Sequence, residues 1–494
     1  MFPLTVEQLC QVTGGLATGS ANPDDVVRNV VIDSRLAGPG SAFFALQGNQ
    51  VHGMNFADDA VARGAVVVVL DGRFSESITS ADGSGPATVL VPCATAALAQ
   101  LAVRNRRYSE ALVLGITGSV GKTTTRRMIF AVLEAAFRGV QSPRNFNNEL
   151  GVPLSLLQLS AGDEFAVIEM AAAGSGEISE LAGIARPDFA VVTRITPAHL
   201  DGFGSLKSVQ QTKSELVRAL TADGTAILNA DDPLVRQMAD LTKANVVLFG
   251  ESADASVRAE SVHVENSKLS VTVGSETFAV PASGRHHLTS LLAAIAVGRE
   301  LGLSSQQINL GLSRYVPESG RCCVLEVGSW TVIDDTYNAS PASVAAAADL
   351  LQHWSTSARR LLVLGDMLEL GDQAEEFHFS VGARLAQASI DHVLVFGSHA
   401  TDTAEGFLES GGRPGGISVF EDVSTLLAIL DVQLSPGDVV LVKGSRSLQM
   451  ERVIAALRAA HEQQPATIAM KRPAANTVHS APPEFDDTYT ARRA

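Results

Sequence analysis

A short glycine-rich segment constrains this chain more than any other feature of its sequence. The segment Gly115-Ile-Thr-Gly-Ser-Val-Gly-Lys-Thr-Thr-Thr125 follows an apolar run, 111–116, that is typical of a buried parallel strand, and it precedes apolar residues at helical spacing. A loop between a strand and a helix turns backbone N–H groups toward a phosphate, and the helix N-terminus adds its positive dipole. The sequence therefore predicts a P-loop that binds ATP.

Phosphate binding assigns a role to each residue type in this loop. The predicted ATP contacts are Gly118, Ser119, Gly121, Lys122, Thr123 and Thr124. The glycines would let the backbone turn, Lys122 would reach the β- and γ-phosphates, and the Thr123 hydroxyl would bind Mg²⁺. Ile116 stands where the strict motif has glycine, so the spacing is a variant. The apolar face of the following helix is predicted to contain Met128, Ile129, Val132, Leu133 and Phe137.

Length and charge limit the class of protein. The 494 residues are enough for three domains at roughly 100–200 residues each. The net charge of −16 argues against a nucleic-acid partner, because a phosphate backbone attracts basic surfaces. We find no secretory signal, no apolar run of the ~20 residues that a membrane span needs, and no heptad pattern, so we expect a cytoplasmic monomer without a transmembrane segment. Adjacent Cys322 and Cys323 are expected as core residues on a strand.

The hydrophobic pattern divides the chain into three α/β domains and a tail. Residues 1–107 predict a small mixed α/β domain, and 108–315 alternate strands and helices as in a doubly wound parallel sheet. Residues 316–462 predict a Rossmann-like domain with parallel strands, and the proline-rich residues 463–494 predict a disordered tail. The predicted strands are 26–32, 42–46, 65–70, 88–91, 111–116, 165–170, 189–193, 225–229, 246–249, 331–335, 360–365, 392–397 and 439–443.

A carboxylate at the carboxyl edge of the central sheet suggests a metal site. Glu169 ends a predicted strand, and a carboxylate facing Thr123 is a natural ligand of Mg²⁺. The loop variant, in a chain of three α/β domains, resembles the Mur ligases, ATP-dependent enzymes that join amino acids to UDP-N-acetylmuramic acid. The resemblance implies that His199 binds a second Mg²⁺ and that Lys213 is carbamylated, and it makes Lys122, Glu169, His199 and Lys213 the catalytic set.

The resemblance also implies roles for residues outside the P-loop. It assigns 1–107 to the UDP-substrate, 108–315 to ATP and 316–462 to the incoming amino acid or dipeptide. Further expected contacts of ATP are Asn229, Asp232, His286, Arg321 and Asp335. The expected substrate contacts are Ser34, Arg35, Asn145, Asn147, Asn148, Asn338, Ser340 and Lys443.

Motifs in the first and third domains narrow the resemblance within the family. Residues 33–35 look like the UDP-binding part that the later ligases of the family share. Residues 334–341, 364–371 and 441–446 look like those of the branch that adds D-alanyl-D-alanine to UDP-N-acetylmuramoyl-tripeptide through an acyl phosphate. These two substrates are therefore the expected partners. Departures from the family pattern stand at Ala173, Arg194, His287, Ser290 and Ser340. A divergent ligase that joins a different amine to a different carboxylate remains an alternative.

Two further classes remain as alternatives. A P-loop switch or motor would hydrolyse ATP without an amine acceptor, and it would not need the motif at 33–35. A nucleotide-sugar-binding scaffold would have an inactive ATP site. The presence of the P-loop lysine together with Glu169, His199 and Lys213 favours an enzyme over a scaffold.

Overall fold

The computed structural model describes residues 1–48, 51–73, 86–197 and 203–463. The chain forms two compact units. Of the described residues, the first unit contains those within 1–263, 268–281 and 286–316, and the second contains 264–267, 282–285 and 317–463. The expected tail lies outside the described residues from 464 to its end. Within the described ranges, no helix has both the length and the apolar character to cross a membrane.

The first unit begins with a small sheet flanked by helices. Its elements are β1 (Leu4–Thr5), α1 (Val6–Thr13), β2 (Leu16–Thr18), β3 (Val26–Val27), β4 (Asn29–Val31), β5 (Ser41–Phe44), α2 (Ala57–Ala62), β6 (Ala65–Asp71), β7 (Thr88–Val91) and α3 (Ala94–Tyr108). The five-stranded sheet has the order β2-β7-β6-β5-β4, and only the β2–β7 pair is antiparallel. Strand β6 is apolar and buried over nearly its whole length, as the centre of a covered sheet requires.

A larger parallel sheet follows in the same unit. Its elements are β8 (Leu112–Thr117), α4 (Lys122–Glu134), β9 (Gly139–Gln141), α5 (Gly151–Leu156), β10 (Phe165–Glu169), α6 (Glu177–Ala185), β11 (Phe189–Val192), α7 (Leu206–Arg218), β12 (Thr225–Asn229), α8 (Pro233–Arg236), β13 (Asn245–Gly250) and β14 (Val257–Arg258). The strand order is β14-β13-β12-β11-β8-β10-β9. The order reverses at β8, which lies between β10 and β11, so a crevice forms at the carboxyl end of β8.

The P-loop helix α4 is held by two helices that complete the first unit. These are α9 (Leu288–Glu300) and α10 (Ser305–Ser313), which follow a three-stranded sheet of β15 (Ser261–Glu265), β16 (Lys268–Val273) and β17 (Glu276–Val280). Both helices pack against α4. A Cβ atom at Gly311 would lie 2.4 Å from the Ala131 carbonyl oxygen, so glycine permits this close approach. Thr125 and Ser290 add a buried hydroxyl–hydroxyl hydrogen bond of 2.8 Å.

The second unit is built on one six-stranded sheet. Its elements are β18 (Cys323–Val327), β19 (Trp330–Asp335), α11 (Pro341–Gln352), β20 (Arg360–Gly365), α12 (Ala374–Ala386), β21 (His392–Phe396), α13 (Ala400–Glu409), β22 (Ile417–Phe420), α14 (Val423–Gln433), β23 (Val439–Lys443) and α15 (Glu451–Gln463). The order is β18-β19-β23-β20-β21-β22, and only β18 is antiparallel to its neighbour. The last of the described strands, β23, therefore lies inside the sheet.

Most predicted strands lie within one or two residues of their observed bounds, but three details differ. The predicted strand 26–32 is divided at Arg28, because β3 pairs with β1 whereas β4 pairs with β5. Helix α4 ends at Glu134, so Phe137 follows the helix, as the turn into β9 requires. Cys322 has a φ of 54° and precedes β18, so only Cys323 lies on the strand.

Candidate active site

The P-loop lies between β8 and α4 and has a restricted backbone. Gly118 has a φ of 145° and Gly121 a φ of 83°, both in the region that favours glycine. A Cβ atom at Gly118 would overlap the Thr193 hydroxyl. Lys122 begins α4, and its Nζ donates to the carbonyl oxygens of Gly118 at 2.8 Å and Ser119 at 3.3 Å. The lysine therefore lies against the loop that the sequence predicts to bind phosphate.

The segment that follows β11 fixes the shape of this loop. The Ser119 hydroxyl donates to the Thr196 carbonyl and accepts from the Thr196 N–H, each at 3.0 Å. The Thr193 hydroxyl donates to the Val120 carbonyl at 2.6 Å. Arg194, one of the departures, contributes its carbonyl oxygen to the Ser119 N–H at 2.7 Å. Because β11 neighbours β8, these bonds preorganise the loop.

Glu169 is a buried carboxylate at the end of β10, beside Ile116 of β8. Its side chain is only 2% exposed. Oε1 accepts a hydrogen bond from Asn147 Nδ2 at 2.8 Å, whereas Oε2 lies 3.5 Å from Arg126 Nη1 and has no hydrogen-bond partner among the described residues. A buried carboxylate oxygen without a hydrogen bond is suited to a divalent cation. The buried Thr123 hydroxyl is the second candidate ligand, so these residues fit Mg²⁺.

Lys213 lies on α7 and is 3% exposed. Its Nζ donates to the Ala172 carbonyl at 3.2 Å and lies 5.3 Å from the centre of the Phe203 ring. Burial, and next the positive charge of Lys122, lower the pKa of Lys213 to about 7. Much of the amine is therefore neutral near neutral pH, and the neutral form is the one that reacts with CO₂ to give a carbamate.

The asparagine-rich loop before α5 contacts the candidate Mg²⁺ ligand Glu169 through one side chain. Asn147 bonds Glu169 through its side chain, and its carbonyl accepts the Ala171 N–H at 2.8 Å. Asn148 Oδ1 accepts the Gly151 N–H at 3.0 Å and so supports the start of α5. Asn145 is half-buried. The predicted contact of these asparagines with a substrate stays a prediction.

Two of the residues predicted for the nucleoside, Asn229 and Asp232, lie at the end of β12 and just after it, and both bond to the segment that follows β11. Asn229 Nδ2 donates to the Thr193 carbonyl at 2.8 Å, and Asp232 Oδ2 accepts the Ile195 N–H at 2.7 Å. These two side chains stabilise the carboxyl edge of the sheet next to the P-loop. His286 is exposed. Their predicted contact with ATP stays a prediction.

Three further predicted residues of the first unit are Ser34, Arg35 and His199. In the first domain, Ser34 is buried, whereas Arg35 is exposed and pairs with Asp33 at 2.8 Å. Asp33 also accepts the Arg35 N–H and so begins a short 3₁₀ helix. His199, the expected ligand of a second Mg²⁺, lies outside the described residues.

In the second unit, two residues that the sequence assigns to different ligands form one buried ion pair. Asp335 and Lys443 are partners in the register of β19 and β23. Lys443 Nζ donates to Asp335 Oδ2 at 2.6 Å and to the Asn338 carbonyl at 2.8 Å. Lys443 is only 2% exposed. Lys443 therefore joins the end of β19 to Asn338 in the loop that follows this strand.

Three other residues of the second unit have local partners. The Arg321 guanidinium lies 4.0 Å from the centre of the Tyr337 ring, an arrangement that favours a cation–π interaction. Ser340 is the N-cap of α11 and forms a capping box with Ser343. Burial raises the pKa of the Cys322 thiol well above its usual range, as expected for a core cysteine.

Sequence reasoning missed Arg126, which is 1% exposed. Its Nη1 donates to the Arg144 carbonyl and lies near Glu169 Oε2. The available signal is its position one helical turn after Lys122, which places both cations on one side of α4. Sequence alone gave no partner for this charge.

The P-loop, the buried carboxylate and the buried amine define an ATP-dependent enzyme, and comparisons with known proteins identify its family. A model described as the Mur ligase family catalytic domain matches residues 26–106, the Mur ligase middle domain matches 116–298, and the Mur ligase glutamate ligase domain matches 320–446. The chain belongs to the Mur ligase family. The predicted family and the three-domain α/β fold are confirmed.

Individual relatives point to one branch of this family. UDP-N-acetylmuramoyl-tripeptide–D-alanyl-D-alanine ligase of Bacillus subtilis is 32% identical over 455 residues, 92% of this chain and 98% of the relative. The Escherichia coli enzyme of the same name is 33% identical and covers 93% and 99%. MurF from Acinetobacter baumannii superposes with a TM-score of 0.82, at 29% identity, over 92% of this chain and 99% of that one. MurF from Thermotoga maritima in complex with ADP gives 0.75, at 29% identity, over 89% and 99%.

Proposed function

We propose that this chain is the ATP-dependent ligase that joins D-alanyl-D-alanine to UDP-N-acetylmuramoyl-tripeptide in peptidoglycan synthesis. The observation that carries the proposal is the match, over nine-tenths of the chain, to relatives named for this activity. The strand–P-loop–helix geometry and the buried Glu169 provide the elements that such a reaction requires. The products are UDP-muramoyl-pentapeptide, ADP and phosphate.

The reaction requires activation of a carboxylate by ATP. The terminal carboxylate of the tripeptide attacks the γ-phosphorus, ADP leaves, and an acyl phosphate forms. The free amine of D-alanyl-D-alanine then attacks the acyl carbon, phosphate leaves, and the amine loses a proton as the amide forms. The protein supplies no covalent nucleophile in this scheme. Its contribution is positioning and charge neutralisation. Lys122, whose Nζ lies against the carbonyl oxygens of the P-loop, would reach the phosphates.

Mg²⁺ is proposed at two positions. Thr123 and Glu169 would hold the first ion, and His199 with carbamylated Lys213 would hold the second. When bound, Mg²⁺ offsets the negative charge of the phosphates and the carboxylate that must approach each other. The support for the first position is the buried Glu169 Oε2, which accepts no hydrogen bond from the residues that the structure describes, and the support for the carbamate is the pKa of Lys213 of about 7.

The remaining assignments are part of the same proposal. The nucleoside of ATP would contact Asn229, Asp232 and His286. Arg321 and Asp335 are proposed as further contacts of ATP, supplied by the third domain. The substrates would contact Ser34, Arg35, Asn145, Asn147, Asn148, Asn338 and Ser340. Lys443 would act through its buried pair with Asp335 rather than by direct contact. We also propose domain boundaries at 107 and 315, a monomer, and a cytoplasmic location; light scattering tests the monomer.

Three departures from the family pattern have local roles, which supports the main proposal over a divergent activity. Ser290 bonds Thr125 of the P-loop helix at 2.8 Å. Ser340 caps α11, and His287 is buried at the start of α9. These residues serve the fold in their present form, so they need not mark a new substrate.

The test is phosphate release from MgATP in the presence of UDP-N-acetylmuramoyl-tripeptide, with D-alanyl-D-alanine added or omitted. We expect release that depends on both substrates, and a new amide product by mass spectrometry. Release that needs neither substrate would indicate an ATP-driven switch. Absence of release with these substrates, from protein that still binds ADP, would favour a ligase with another amine and another carboxylate.

A further inference from the structure

Arg126 connects three parts of the first unit. It lies on α4, one turn after Lys122, and is 1% exposed. Its Nη1 donates to the Arg144 carbonyl and lies 3.5 Å from Glu169 Oε2. The P-loop helix is thereby joined to the end of β10 and to the segment 144–148, which we call the acceptor loop.

Several contacts define the conformation of the acceptor loop in this structure. Arg144 has a φ of 43°, a left-handed backbone that non-glycine residues adopt only when their surroundings hold it. Asn147 bonds Glu169 through its side chain and the Ala171 N–H through its carbonyl. The loop is therefore bonded at two points: Arg126 donates to the Arg144 carbonyl, and the Asn147 side chain donates to Glu169.

Burial of a guanidinium is unfavourable unless its charge is offset, and an apolar side chain would fill the same space without that penalty. Arg126 meets Glu169, which is itself 2% exposed, so each charge offsets the other. The charge of Arg126 is explained if the ion pair has a role besides stability. Its contacts favour one such role, which is to make the conformation of the acceptor loop depend on that of the P-loop helix.

We propose that Arg126 is a positioning residue that couples nucleotide binding at the N-terminus of α4 to the conformation of the acceptor loop. A phosphate bound at the P-loop orders the start of α4, and Arg126 transmits that order to Arg144. The inference rests on the proposed function only for the identity of the acceptor. The coupling itself requires a nucleotide and this chain.

Hydrogen exchange of the peptide 142–151, with and without MgADP, measures the coupling directly. In the wild-type chain we expect MgADP to slow exchange in this peptide by at least about fivefold, the lower end of ordinary coupling between two sites. In Arg126→Met the slowing is expected to fall below about twofold, while MgADP still binds. Arg126→Lys retains a charge but lacks the planar fork, so we expect an intermediate value.

Arg106 provides a matched control within the same unit. It pairs with Asp188 at 2.9 Å, donates to the Ala185 carbonyl at 3.0 Å, and its side chain is 12% exposed. Asp188 precedes β11, so this pair lies at the amino edge of the sheet, opposite the P-loop. Arg106→Met removes an ion-paired arginine that is less buried than Arg126 and lies away from the P-loop, and it should keep the wild-type response to MgADP.

Two outcomes would overturn the proposal. One is an acceptor loop whose exchange does not respond to MgADP in the wild-type chain, and the other is a full response in either Arg126 variant. If Arg126→Met does not fold, Arg126→Lys decides the question, because it keeps the buried charge. A wild-type chain that shows the coupling but does not ligate the two substrates would contradict the proposed function and leave the role of Arg126 supported.

The affinity for UDP-N-acetylmuramoyl-tripeptide provides a second readout. We expect a non-hydrolysable ATP analogue with Mg²⁺ to lower its Kd by about fivefold or more in the wild-type chain and in Arg106→Met. The same analogue should leave the Kd of Arg126→Met nearly unchanged. An equal decrease of this Kd in all three proteins would contradict the coupling role of Arg126.

Discussion

Two lysines, one in each unit, are almost equally buried and have opposite surroundings. Lys213 is 3% exposed, and its amine contacts a carbonyl oxygen and the Phe203 ring. Lys443 is 2% exposed, and its amine lies 2.6 Å from Asp335. Burial penalises the charged amine in both places, but within the part of the chain that the structure describes a carboxylate in direct contact offsets the penalty for Lys443 alone.

The difference shows that burial alone does not define the role of a lysine. Burial lowers the pKa of Lys213 to about 7, and among the described residues no carboxylate contacts its amine, so the amine is available for chemistry in its neutral form. With Asp335 and the Asn338 carbonyl as partners, Lys443 joins two strand ends and a loop. The first environment favours a modified or catalytic group, and the second favours a structural cation.

The largest expected effect is the loss of activity in Lys213→Ala. We expect ligase turnover to fall by at least about 10³-fold, the upper range for loss of one preorganised charge stabiliser, and to be partly restored by small carboxylates that replace a carbamate. The measurement is phosphate release with both substrates, with and without added acetate or formate. Lys443→Ala serves as the contrast, because a structural cation is not replaced by a small anion. Full activity of Lys213→Ala in the absence of a small carboxylate would contradict the proposed carbamate.

The next effect concerns Lys122, which influences both the phosphates and Lys213. Lys122→Ala should lower kcat by at least about 10²-fold, because the variant lacks one charge that stabilises the transition state. It should also raise the pKa of Lys213 above 7, because the Lys122 charge is one of the causes that lower it. Steady-state kinetics test the first expectation, and the pH dependence of chemical modification at Lys213 tests the second. Near-normal turnover would contradict the role of Lys122.

A smaller effect, on stability, is expected at the buried pair of the second unit. Lys443→Met should reduce the free energy of unfolding by about 3–5 kcal/mol, because it leaves Asp335 buried without its partner. The double variant Lys443→Met, Asp335→Asn should recover most of this loss. Urea denaturation, followed by a probe in the second unit, measures both variants. Equal stability of the single and double variants would show that the pair is not coupled.

The smallest effect, counted for each pH unit, is the pH dependence of stability that Lys213 causes. Its pKa is about 7 in the folded chain against 10.5 as the ordinary value, so between these limits the unfolded chain holds a proton that the folded chain has lost. The destabilisation by Lys213 is therefore complete below pH 7 and is relieved as the pH rises toward 10.5. Relative to Lys213→Met, wild-type stability should rise by at most about 1.4 kcal/mol per pH unit. Urea denaturation in CO₂-free buffer tests this, and a constant difference would contradict the lowered pKa.

Sequence reasoning succeeded where local pattern determines structure. Strands β7, β12, β20 and β23 have the predicted bounds, because short apolar runs between turn residues define them. The P-loop was found because its glycines, its lysine and the following helix are contiguous. The family, the fold class and the ligase activity came from resemblance, and they are confirmed. The individual site residues and the carbamate stay predictions.

Sequence reasoning failed where a contact depends on strand order or on distant partners. The Lys443–Asp335 pair joins residues 108 positions apart, and it exists because β23 enters the sheet between β19 and β20. No local pattern encodes that insertion. Arg126 was missed for a related reason, since a charge on a helix is usually solvated and its burial here depends on Glu169.

The position of β23 also affects how the protein is made. The seven strands of the central sheet are all synthesised once residue 258 has been added, so that sheet can form while the rest of the chain is still on the ribosome. The sheet of the second unit has a gap between β19 and β20 until residues 439–443 emerge. During that interval β19 and β20 present unpaired edges, which are sites for misassembly and chaperone binding. A stop codon before residue 439 would therefore remove an interior strand and leave the second unit unable to close its sheet.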